Sequence, residues 1–141
     1  VKTPWHVWVV GGVSLLWNSG GAIDYLMLRF RVEAYTGQLT EAQLGFFESL
    51  PVWASIGWAL GVWGAWIGSV LLLLRSRFAG TAFALSLLGI GVNSIYTYGL
   101  AGAEVDAGMG AVQAWFAVAI VVITAGLLFY ARAMARRGVL R

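Results

Sequence analysis

The chain has 141 residues, 60% of them hydrophobic and only 11% charged, and its mean hydropathy is +0.82. Soluble domains usually carry about 25% charged residues, so this balance points to a membrane protein. The chain has no cysteine and one histidine, which excludes disulfides, thiolate metal sites and a histidine metal cluster, and its net charge of +3 comes from basic residues at helix ends, a pattern of membrane topology rather than nucleic-acid binding.

The first apolar segment covers residues 5–28, with Lys2 before it and Pro4 at a position suited to a helix start. Its apolar run exceeds the core of a signal peptide, so a retained membrane span is expected. Gly11, Ser14, Asn18, Gly21 and Tyr25 share one face within about 80°, the small and polar side that faces other helices. Arg29, Arg31 and Glu33 end the segment. Thr40 and Gln43 then fit a capping box that opens a short helix at residues 41–50, and its Leu44, Phe46, Phe47 and Leu50 suit the membrane interface. Pro51 ends or kinks this helix.

The second span, residues 51–74, carries no charge. Gly57, Gly61, Gly64 and Gly68 fall within about 60° of one another on a helix, a groove where another backbone can approach closely. This predicts a central helix gripped along its glycine side. The triplet Arg75, Ser76, Arg77 leaves room only for a tight turn. In the third span, residues 78–100, a second small-polar seam runs through Ala82, Ser86, Gly89, Asn93 and Thr97. A loop with Glu104 and Asp106 leads to the fourth span, residues 111–134. That span has Gln113, Ala117 and Thr124 but no clear seam, which predicts the most lipid-exposed helix. The fold class is therefore all-α: an integral membrane four-helix bundle, one domain, with a short extra interfacial helix between spans 1 and 2.

Charge sets the orientation. With both ends cytoplasmic, Lys2, Arg75, Arg77, Arg132, Arg136, Arg137 and Arg141 lie inside and only Arg29 and Arg31 outside. Trp5, Trp8, Tyr25, Trp53, Tyr98, Trp115 and Tyr130 then sit near span ends as an aromatic belt.

Three polar residues stand out inside the spans. Asn18 and Asn93, counted from their helix starts, should be level in the outer half and meet across the first and third helices. Two readings fit them: an interhelical hydrogen bond that fixes packing, or a polar lining for a solute. Asp24 is the one carboxylate within an apolar span; it reads as an interfacial acid paired with Arg29 or Arg31, or as part of a solute path. Belts and packing account for most of the eight tryptophans. His6 reads as interfacial rather than as a haem ligand. No catalytic motif or paired-carboxylate site occurs, so neither an enzyme nor a cofactor is expected.

Thr3, Pro4, Trp5 and His6, the run Leu16, Trp17, Asn18, then Gly21, Ala22, Asp24 and Tyr25, the stretch 58–64 and the stretch 71–75 together resemble a family of small, uncharacterised alphaproteobacterial inner-membrane proteins. The resemblance covers about the first three spans. Members of that family are sometimes labelled sugar transporters. In size the chain is also similar to small sugar-efflux bundles and four-span multidrug carriers, though the mid-span glutamate of the latter is missing. Two functions from different classes follow. One is a small-solute transporter, sugar-like in substrate, acting as a homo-oligomer because four spans enclose little volume. The other is a non-catalytic accessory or assembly subunit of a larger inner-membrane complex. In both, the lipid bilayer is the surrounding partner, and no nucleic acid is involved.

Overall fold

In a computed structural model, residues 3–30, 33, 37, 51–96 and 110–141 are described, with side chains 110–114 excepted. They form four helices: α1 (Trp5–Arg29), α2 (Val52–Leu73), α3 (Ala79–Ser94) and α4 (Gly110–Arg136). No strand occurs among the described residues. The expected helix at 41–50, its Thr40 cap, Thr97, Tyr98, and the loop with Glu104 and Asp106 lie outside them. Val52–Leu73 and Trp115–Arg136 are long and apolar enough to cross a membrane, and α3 is a shorter apolar helix.

The helix ends follow from local chemistry. Pro4 and Pro51 sit at the N-caps of α1 and α2 in extended conformation, where their fixed φ and missing N–H cost nothing. α2 closes in a Schellman motif: the Ser76 N–H donates to Leu71 O at 2.8 Å and the Arg75 N–H to Leu72 O at 3.1 Å. That motif puts Arg75 at φ 55, the left-handed region that favours glycine. α4 closes the same way, with Val139 N–H donating to Met134 O at 3.0 Å, but here the left-handed residue is Gly138 at φ 78.

α2 packs on α1 and on α3, and α3 packs on α4. α1 and α4 meet where Trp17 stacks near Phe116 and where the Tyr130 hydroxyl hydrogen-bonds His6 Nδ1. A buried apolar cluster gathers Val7, Leu72, Ala79, Phe83, Leu127, Ala131 and Met134 from all four helices. It lies at the end of the bundle that carries the 75–77 turn. Residues 139–141 fold back beneath it: Val139 and Leu140 are buried there, Arg141 N–H donates to Arg75 O at 2.8 Å, and Arg77 N–H donates to Arg141 O at 2.9 Å. Arg75 Nη1 also donates to Thr3 Oγ1 at 2.7 Å. One end of the bundle is thus both basic and locked.

The buried face of α4 runs through Thr124, Leu127, Ala131 and Met134. Of the polar residues expected there, Thr124 lies on this face, and the rest of the seam is apolar; its spacing of three, four and three residues is the signal in the sequence that marks it. The outer face of α4 exposes Trp115, Val118, Val122 and Phe129, and the outer face of α1 exposes Trp5, Val13, Leu16 and Ile23.

Candidate functional site

α2 is the hub that positions the candidate residues. Its glycine stripe lies against α3 along the whole contact. A Cβ on Gly57 would come 2.9 Å from Gly89 O, one on Gly61 3.0 Å from Ile90 Cγ1, one on Gly64 3.1 Å from Ser86 Cα, and one on Gly68 2.8 Å from the Phe83 ring. The fit is reciprocal: a Cβ on Gly89 would sit 2.5 Å from Gly57 O and 2.6 Å from Gly61 N. With side chains removed, backbone polar groups come within reach of the partner helix. Ser86 Oγ uses this and donates to Gly61 O at 2.6 Å, fully buried. Asn93 Nδ2 donates to Ala54 O at 3.2 Å further along the same seam.

A second flank of α2 meets α1. Asn18 is buried, and its Nδ2 donates both to Ser69 Oγ at 2.8 Å and to Ala65 O at 3.2 Å. Ser69 Oγ donates in turn to Ala65 O at 3.0 Å, so amide and hydroxyl share one carbonyl. Ser14 Oγ, one turn below Asn18, bonds back to Gly11 O at 3.0 Å. Trp66 Nε1 donates to Ser19 Oγ at 3.1 Å. Towards the far end, Tyr25 of α1 packs against Trp58 and Trp63 with ring centroids 4.5 and 6.0 Å away. Asp24, the neighbour of Tyr25 in the chain, is half-buried.

The expected meeting of Asn18 and Asn93 does not occur. Both amides bond to α2, on carbonyls eleven residues apart, which is about 16 Å along a helix. Trp5 and Phe78 do not begin level. A Cβ on Gly11 would strike Leu73 at the end of α2, so residues 5–10 of α1 project beyond it, while Phe83 of α3 already faces Gly68. The offset lifts Asn93 well above Asn18. On α1 the expected seam also shifts: Gly11, Ser14 and Asn18 are buried, but Gly21 is exposed with open space around it, and Ala22 takes the inner position. Ser69 escaped notice because a lone serine in an apolar helix carries no signal until a partner amide is placed beside it.

Every buried side-chain nitrogen and oxygen among the described residues has a hydrogen-bond partner. No group of three histidines or carboxylates comes together among them to hold a metal. The arrangement can therefore clamp helices to one another through their backbones. Comparison of the chain with protein-family models, with curated proteins and with solved structures found no match.

Proposed function

We propose that this chain is a four-span bacterial inner-membrane protein with both ends cytoplasmic, and that it works as a non-catalytic packing subunit of a larger membrane assembly. The observation that carries the reading is how its intramembrane polar groups are used. Asn18 and Ser86 spend their donors on helix-to-helix bonds, Ser69 accepts one from Asn18 while donating within α2, and the glycine stripe is filled by α3. Such groups hold helices at a fixed spacing. What remains outward is apolar: the Trp5, Leu16 and Ile23 side of α1 and the Trp115, Val122 and Phe129 side of α4. The gathering of residues 75–77 and 132–141 at one end supports a shared cytoplasmic side for these segments.

A second reading keeps the small-solute transporter, assembled as a homo-oligomer. It draws on Asp24, half-buried and next in the chain to Tyr25, whose ring packs with Trp58 and Trp63, because a carboxylate and ring faces at one end of the bundle suit a polyhydroxylated or cationic solute. The resemblance to proteins labelled sugar transporters points the same way. Affinity purification of the full chain in mild detergent separates the two. Stable partners other than itself, with no solute flux in vesicles, are expected. A pure homo-oligomer with flux abolished by Asp24→Asn would overturn the packing reading. Reporter fusions test the topology: those after Arg77 and Arg141 should report cytoplasm, and those at Gly37 and Asp106 periplasm. A periplasmic C-terminus would refute it.

A further inference from the structure

At the basic end, α3 and α4 part to leave an open cleft of about 310 Å³. Arg77, in the turn before α3, and Arg132, near the end of α4, both line it. Thr81 adds a hydroxyl, and Gly80, Ala84 and Ala131 make a smooth wall. A Cβ on Gly80 would rest 3.6 Å from Arg132 Cγ, an ordinary contact distance, so the aliphatic stem of Arg132 lies against the Gly80 backbone. Arg77 is steadied from the other direction, its guanidinium carbon 5.2 Å from the centre of the Phe78 ring.

Among the described residues, no carboxylate side chain lines the cleft beside these charges. The sequence has no Asp or Glu between residues 49 and 103, nor between 107 and 141, so α2, α3, the turn between them and residues 110–141 hold arginines alone. Two guanidiniums on one cleft repel each other, and each presents a fork of donors suited to a phosphate oxygen pair. Phe78, just before α3, Leu85 on α3 and Phe129 on α4 are exposed.

We propose that this cleft binds a phosphate oxyanion between Arg77 and Arg132, and that its natural source is the headgroup of an anionic phospholipid, whose acyl chains run along the exposed side chains of α3 and α4. The inference rests on the membrane reading above, because only a chain in the bilayer brings the cleft to headgroup level. Basic clefts between helices on the cytoplasmic side are suited to such headgroups.

The test uses the full-length protein in detergent, with bound lipid read by native mass spectrometry against mixed phosphatidylglycerol and phosphatidylcholine. The wild type should prefer phosphatidylglycerol, and each arginine should contribute about fivefold. The double variant R77Q/R132Q should therefore lose about twenty- to thirtyfold in preference, and R136Q, whose side chain is outside the cleft, less than about threefold. Should the double variant not fold, R132Q alone must lose about fivefold. No preference in the wild type, or equal losses in R136Q and the cleft variants, would overturn the proposal. A second arm titrates inorganic phosphate into lipid-free micelles. Saturable binding lost in R77Q/R132Q, without lipid preference, would keep the oxyanion site but overturn its lipid source. Alkaline carbonate extraction of membranes checks the premise separately. Release of the chain would refute the membrane reading, and the phosphate arm would then decide the cleft alone.

Discussion

Replacing Gly89 with alanine probes the α2–α3 seam at its tightest point. The new Cβ would lie 2.5 Å from Gly57 O and 2.6 Å from Gly61 N, where ordinary contact begins at 3.4 Å. Both obstacles are backbone, so no rotamer change relieves them, and the helices must separate by 0.8–0.9 Å at that level. The Ser86 bond to Gly61 O, now 2.6 Å, would stretch to the edge of bonding range. Overpacking of this kind costs about 1–3 kcal/mol, and a lost interhelical bond adds roughly 0.6–2 kcal/mol. The natural control is Gly91→Ala, two residues on in the same helix, where nothing lies within 4 Å. Both changes gain the same helix propensity of about 1 kcal/mol, so the difference between them isolates the seam. Equilibrium unfolding in mixed micelles, followed by tryptophan fluorescence, should place Gly89→Ala at least about 2 kcal/mol below Gly91→Ala. Equal stability of the two would refute close backbone packing between α2 and α3.

Gly64→Leu should disrupt the same seam, because its Cβ already meets the Ser86 backbone at 3.1 Å, whereas Val62→Leu, on a half-buried position, should be mild by the same unfolding assay. Asn18→Leu and Asn93→Leu should each cost about 1–2 kcal/mol, and the double variant should equal their sum within about 0.5 kcal/mol, since the two amides hold separate stretches of α2. A coupling beyond that range would mean that they share a partner. Gly138→Ala should lower stability by about 1 kcal/mol and loosen residues 139–141, read as faster amide exchange at Arg141, because φ 78 disfavours a side chain.

Much of the helix layout was legible from hydropathy and punctuation. Pro4 and Pro51 mark the starts of α1 and α2 in the sequence and in the structure, and the short 74–78 connection could only be a turn. Side-chain patterns on single helices read well where glycine and polar residues made them visible, as with Ser14, Asn18, Ser86 and Gly89. What one helix cannot reveal is its vertical offset against the next. Asn18 and Asn93 looked level because each helix was measured from its own start, and the 5–10 overhang of α1 is a tertiary fact. The fold-back of residues 139–141 was hidden for a different reason. Its anchors are backbone bonds to Arg75 and Arg77, and backbone bonding leaves no mark in the amino-acid code. The Arg77–Arg132 cleft was likewise invisible, since the two arginines were read only as topology markers.

The glycine seam also has a kinetic meaning. α2 and α3 are joined by a five-residue connection, and their closest approaches pair residues 15 to 32 positions apart, from Gly68 with Phe83 to Gly57 with Gly89. Local contacts of this kind close with little loss of chain entropy and form early. The bond between His6 and Tyr130, by contrast, joins residues 124 positions apart. The α2–α3 hairpin is therefore the natural nucleus onto which α1 and α4 dock. Substitutions in the seam should slow folding, while those in residues 139–141 should leave the folding rate alone and hasten unfolding. A helix pair shaped for tight packing thus also sets the order in which the molecule is assembled.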